Sequence, residues 1–218
     1  MIVAAVFRAL IKLGQNVSDT NRRRTNPLRA AVLGIMSVAL GLICANWEQP
    51  SLASELAWQA LQEGGAVALL RHAHAPGTGD PPEFRLGDCS TQRNLSSEGR
   101  EQARRIGEQF QANHIPIERV LSSEWCRCLE TARLAFGDRV EPFPALNSFF
   151  SKQDVEGAQT RAVRALVEGW RAQSGVLVLV THQVNITALT GIYPAEGEIL
   201  VLRPRATSGF DLVARFRP

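Results

Sequence analysis

Two uninterrupted apolar runs, Ala-Val-Ala-Leu-Leu at 66–70 and Val-Leu-Val-Leu-Val at 176–180, are too short for buried helices and read as strands covered on both faces. Each run ends on a histidine, through Arg71-His72 in one case and Thr181-His182 in the other. Elsewhere the apolar spacing turns helical. Residues 55–63 carry a stripe through Leu56 and Leu61 that Gly64-Gly65 stops. Ser96 is placed to cap a helix that puts Ala103, Ile106 and Phe110 on one face and ends near Asn113. A further helix over 124–136 bears Leu129 and Ala132 and closes at Gly137, and another over 158–172 turns Ala162, Leu166 and Trp170 inward before Gly175. Short strands are expected at 120–121, 198–202 and 210–216. Strands alternating with helices predict an α/β fold, a three-layer sandwich with a mainly parallel central sheet and helices on both faces.

The first fifty residues break this pattern. Arg22, Arg23, Arg24 and Arg29 precede an uncharged stretch, 30–45, which is shorter than the roughly 20 residues of a membrane span. It suits the apolar region of an export signal, and Ser51-Leu52-Ala53 supplies small residues for cleavage before Ser54. The expected organisation is therefore a leader over 1–53 and a single domain over 54–218, exported and in a periplasm-like compartment. Left uncleaved, residues 30–45 would instead hold the protein at a membrane.

Charge changes once the leader is set aside. The chain has 24 Lys and Arg against 21 Asp and Glu, but 54–218 alone has 18 against 19. No general nucleic-acid surface is expected from that balance, so positive potential in the domain must be local. Cys89, Cys126 and Cys128 allow one disulfide and leave one thiol; Cys89 is expected to pair with Cys126 or Cys128, the alternative being three reduced thiols. Their spacing fits no familiar zinc set, and no metal is expected.

The candidate chemistry gathers at strand ends, where open α/β sheets bind ligands. His72 and His182 both stand there. Leu121-Ser122-Ser123 runs into a helical segment in which Arg127 lies about one turn in, and a planar guanidinium so placed can grip two phosphate oxygens. The long Pro, Gly and Asp-rich loop over 75–94 points to a functional role by its length. Arg93 ends it as a further phosphate or substrate contact, His74 stands at its mouth as a rim residue, and Asn185 is placed to cap the helix after His182.

These residues resemble the motifs of the histidine phosphatases, the phosphoglycerate-mutase-like superfamily. Leu70-Arg71-His72-Ala73 is similar to its Arg-His-Gly signature, and Ser122-Ser123 through Arg127 to Thr131-Ala132 resembles its Ser-Ser-x-x-x-Arg-x-x-x-Thr-Ala segment. Asn94-Leu95-Ser96-Ser97-Glu98-Gly99 looks like its helix opening, and Val180-Thr181-His182 like its second-histidine motif. The resemblance implies a phosphomonoesterase in which His72 attacks phosphorus and carries a phosphohistidine. Arg71, Arg127 and His182, with Arg93 as an added contact, would be the cations that neutralise the phosphoryl oxygens, with neither metal nor organic cofactor. A phosphorylated small molecule or glycan is the implied substrate.

Departures from the pattern bear on the mechanism. Ala73 replaces the signature glycine, and Ser148 stands where mutase-like members keep a glutamate that protonates the leaving oxygen. Serine cannot replace that acid. The carboxylates left as candidates are Asp80, Glu83, Asp88, Asp154 and Glu156. Two other readings remain open: a phosphohistidine phosphatase, whose leaving group needs no acid, and a degenerate phosphate-binding or envelope interaction module.

Overall fold

The computed structural model describes residues 51–218, so nearly all of the expected leader, including 30–45, lies outside the described residues. Among the described residues no helix is long and apolar enough to cross a membrane. Helix α1, Leu52–Gln62, starts earlier than its apolar stripe predicts because Ser51 caps it, accepting the Ser54 amide at 3.2 Å. The expected cleavage point thus falls in a capped first turn.

Six strands form one sheet: β1 Val67–Arg71, β2 Ile117–Ser122, β3 Val140–Pro142, β4 Val176–Thr181, β5 Ile199–Pro204 and β6 Phe210–Phe216. Their order is β3-β2-β4-β1-β5-β6, with β3, β2, β4 and β1 parallel and β5 antiparallel to both its neighbours. The remaining helices are α2 Ser97–Ala112, α3 Cys126–Phe136, α4 Glu156–Gly169 and α5 Gln183–Thr190.

Strand alternation sorts the core into two layers, as the period of two requires. Ala68 and Leu70 of β1 and Val176, Val178 and Val180 of β4 face α1, α2 and α3. Val67, Leu69, Leu177 and Leu179 face the other way, against α4 and α5. The expected three-layer sandwich is the fold observed. Every residue of β4 is fully buried, which explains why the run is apolar throughout instead of alternating.

Two helix faces differ from the periodicity reading. In α1 Leu56 is exposed, while Ala57 and Ala60 turn inward with the expected Leu61; in α4 Ala162 is exposed and Val163 and Val167 fill the layer, with Leu166 half-buried against it and the expected Trp170 buried just past the helix end. In each case a neighbouring stripe of equal spacing won. The small α1 alanines let the helix lie close on β6, and the α4 valines bury more apolar area than alanine could. The short strand expected at 120–121 is longer, and β3 was not foreseen, because its Val-Glu-Pro carries too little apolar pattern to mark it.

Candidate active site

Parallel pairing of β1 with β4 puts the two histidines side by side. Arg71 is in register with Thr181, and the His72 amide continues the ladder to the Thr181 carbonyl at 3.0 Å. Beyond that bond both chains leave the sheet, and the two imidazole centroids stand 5.5 Å apart. Neighbouring β2 delivers Ser122, Ser123 and then α3, whose second residue is Arg127. Arg71, His72, Arg93, Arg127 and His182 all line one cavity of about 340 Å³.

The packing that fixes His72 extends into α2. A Cβ on Gly99 would lie 2.0 Å from the His74 carbonyl oxygen, so only glycine lets the first turn of α2 rest on the backbone just past His72. That helix has the expected cap, Ser96 Oγ accepting the Gly99 amide at 3.1 Å, and buries Ala103, Ile106 and Phe110 as predicted. Thr131 of α3 completes the support by accepting the Ala73 amide at 3.0 Å.

The His72 ring is 1% exposed and its Nδ1 lies 2.8 Å from the Ala73 carbonyl. A carbonyl oxygen only accepts, so Nδ1 carries the proton and Nε2 keeps its lone pair. Burial, and then the positive charges of Arg127, Arg71 and Arg93, hold the imidazole well below the ordinary value of 6.5. His72 is a neutral, pre-oriented base.

His182 was expected as a cation, and here the structure differs. Arg127 Nη2 donates to its Nδ1 at 3.3 Å, which leaves the proton on Nε2, 2.8 Å from Ser123 Oγ; Ser123 in turn donates to Asn147 Oδ1 at 3.2 Å. Burial, then Arg127 and His72, push this imidazole well below 6.5 as well. Its neutral form follows from being buried beside a fixed guanidinium.

Both shifts contribute to the stability of the protein just below neutral pH. The unfolded histidines take up protons below about 6.5 while the folded ones resist, so their contribution to stability is constant above that value and falls as pH drops through it. The slope should approach about 1.4 kcal/mol per pH unit for each histidine. Melting curves between pH 7.5 and 5 check this, and His72→Asn should flatten the slope.

Arg127 is 3% exposed and forked onto Asp80, with Nη1 to Oδ1 at 2.8 Å and Nη2 to Oδ2 at 3.1 Å. Asp80 also accepts the Trp125 indole at 3.1 Å and the Arg93 amide at 3.1 Å. Burial raises this carboxyl, but these donors outweigh it and hold it below 3.8. Arg71 reaches the Pro194 carbonyl at 2.9 Å and Glu196 at 3.5 Å; Arg93 holds the Gly79 carbonyl at 2.8 Å, the Ala75 carbonyl, and Glu196 at 3.7 Å. Arg71 Nε and Arg127 Nε are buried without a partner. Polar groups buried in this way ordinarily have one, so two N–H donors in a cationic cavity point to an anionic ligand.

Of the five candidate carboxylates only Asp80 lines the cavity. Glu83, Asp154 and Glu156 are exposed and outside its lining, and Asp88 instead caps the short turn at Cys89–Thr91 while pairing with Arg85 at 3.0 Å. His74 bonds Glu196 at 2.7 Å beside the cavity, outside its lining. Asn185 is inside α5 and donates to the Asn147 carbonyl at 2.8 Å; the capping position belongs to His182. Sequence reasoning missed Trp125, Asn147 and Glu196, whose partners are distant in the chain and leave no local signal.

Cys89 is bonded to Cys126, which ties the long loop to the first residue of α3, next to Arg127. Cys128 is buried, its thiol pushed up to about 12 by burial, and inert as a nucleophile.

Residues 67–149 match the model of the histidine phosphatase superfamily, branch 1. No curated protein matches the chain by sequence. Among solved structures, the chain is similar to a mycobacterial glucosyl-3-phosphoglycerate phosphatase, at 16% identity and a TM-score of 0.51 over 70% of this chain and 99% of that one. It is also similar to a phosphoserine phosphatase from Entamoeba histolytica in complex with 3-phosphoglyceric acid, at 14% identity and a TM-score of 0.50 over 70% of this chain and 97% of that one. These structural likenesses show a shared fold.

Proposed function

We propose that this protein is a phosphatase that hydrolyses a phosphomonoester through a phosphohistidine on His72, without a metal ion. The observation that carries the reading is the His72 ring. Its Nδ1 proton is committed to the Ala73 carbonyl, and its Nε2 lone pair is free in a cavity lined by Arg71, Arg93 and Arg127. In-line attack by Nε2 moves charge onto the phosphoryl oxygens as the ester oxygen departs. The guanidiniums supply fixed positive charge for those oxygens, and the unpartnered Arg71 Nε and Arg127 Nε are donors in reserve. His182 adds a neutral ring that a phosphoryl dianion would draw toward protonation.

Beside these charged groups four aromatic side chains, Phe84, Trp125, Phe150 and Tyr193, line the cavity. Phe150 and Tyr193 are 55% and 68% exposed, unusual for large hydrophobics. Such a rim suits a neutral leaving group with a face to stack, a phosphorylated small molecule or a glycan unit. An exported, periplasmic setting completes the proposal, supported by the leader sequence and by the Cys89–Cys126 disulfide, a bond favoured in oxidising compartments.

The test is quenching with alkaline detergent, which preserves a bond between nitrogen and phosphorus, during turnover of an aryl phosphate labelled at phosphorus. An acid-labile phosphoryl group should be trapped on His72, with turnover unchanged by a chelator and blocked by vanadate. Chelator-sensitive turnover with no trapped intermediate would sink the reading. A phosphate-raised melting temperature without turnover on any ester would leave a binding module.

A further inference from the structure

The cavity holds one carboxylate, and it sits on the residue that a phosphoryl group needs most. We propose that Asp80 is both the resident anion of the site and its acid–base catalyst: substrate phosphate takes over Arg127, and the released Asp80 carboxyl turns to the leaving oxygen. The inference rests on the phosphatase reading and adds to it the group missing at Ser148.

Geometry makes the exchange necessary. Arg127 spends Nη1 and Nη2 on Asp80, extends Nη1 to the Arg93 carbonyl at 3.4 Å and Nη2 to His182, and retains Nε alone. A phosphoryl group can be gripped by a two-pronged fork only after the carboxylate leaves it. Asp80 also lines the same cavity as His72: His72 stands at the end of β1, and Gly77, Gly79, Asp80 and Pro81 belong to the loop that borders the cavity. In-line displacement puts the leaving oxygen opposite Nε2, and that is the position the released carboxyl has to reach. Gly77 and Gly79 have φ of 91° and 71°, so the segment before Asp80 turns twice through the left-handed region.

The cycle balances in protons. Released from Arg127 and set beside a phosphoryl dianion, the Asp80 carboxylate takes a proton from solvent. As the bond from Nε2 to phosphorus forms and the bond from phosphorus to the ester oxygen breaks, that proton passes to the oxygen and the alcohol departs. In the second half the Asp80 carboxylate accepts a proton from water, the water oxygen bonds to phosphorus, and the bond to Nε2 breaks. Inorganic phosphate leaves, and Asp80 returns to Arg127 as its proton goes back to solvent.

The test compares Asp80→Asn with the wild-type protein on p-nitrophenyl phosphate, whose leaving group needs no acid, and on an alkyl phosphate such as glycerol phosphate, whose leaving group does. The ratio of the two kcat values is independent of the folded fraction. It should shift by on the order of 100-fold against the alkyl ester, the usual worth of a general acid. Calorimetry with inorganic phosphate should show tighter binding to Asp80→Asn, by on the order of 10-fold, because the competing anion is gone. Equal losses on both esters, or phosphate binding that weakens or stays the same, would overturn the proposal and leave Asp80 as a residue that only orients Arg127. A wild-type protein inert on both esters would instead overturn the phosphatase reading, and this inference with it.

Discussion

Replacing His72 with alanine is expected to lower kcat/KM by on the order of 10⁴-fold or more, the scale seen when a covalent nucleophile is removed from a preorganised site. No neighbouring group can take its place. His182 accepts from Arg127 at Nδ1 and keeps its proton on Nε2, toward Ser123. Cys128 is a buried thiol with its pKa near 12 and does not line the cavity. Ser148 does line it, but its oxygen only receives the Phe150 amide at 3.4 Å, with no base against it. The variant should fold, because the β1 and β4 ladder ends on the His72 backbone amide, which alanine keeps. A burst of product and a trapped phosphoryl group should both vanish in rapid-quench measurements. Retention of a tenth of the wild-type activity would exclude His72 as the nucleophile.

Arg127→Ala carries the second large effect, and it should appear in both activity and stability. Asp80, now 10% exposed, would keep only the Trp125 indole and the Arg93 amide among its present donors. Breaking a buried ion pair typically costs 3–5 kcal/mol, and the two surviving donors place this case near the lower end, at about 3 kcal/mol. Phosphoryl transfer would lose its best-placed cation, a further drop on the order of 10²–10³-fold in kcat. Denaturant unfolding separates the two consequences. The double variant Arg127→Ala/Asp80→Asn should recover much of the stability and little of the activity, since it removes the stranded charge but restores no cation. Arg127→Lys should recover less than half of the activity, because an ammonium provides charge without the fork. Full activity in Arg127→Lys would mean that the fork geometry is irrelevant.

The fold was largely legible because burial on both faces writes itself into the chain. Runs such as 176–180 can satisfy their backbone and hide five apolar side chains only as a central strand, and the Ser96 cap and Gly99 belong to a helix start. Helix facing was less legible. Stripes at 162 and 166 or at 163 and 167 are equally helical, and only packing against the sheet chose the second. β3 was invisible for a related reason, being an edge strand whose outer positions need not be apolar.

For the site, the sequence by itself supplied the candidate residues: two histidines at strand ends, Arg71, Arg127 near the start of a helix, and a long loop containing a carboxylate. These are properties of chain position, since each is fixed by where a strand or helix begins or stops. Only the tertiary structure decided which of them meet and in what charge state. Parallel pairing of β1 with β4 set His72 beside His182, burial next to Arg127 made both imidazoles neutral, and the turn at Gly77 and Gly79 brought Asp80, out of five carboxylates, onto Arg127. The physical reason is range. Backbone preference acts over a few residues, whereas the Asp80–Arg127 pair spans 47 positions and the histidines more than a hundred, distances over which contacts are selected only by the folded core.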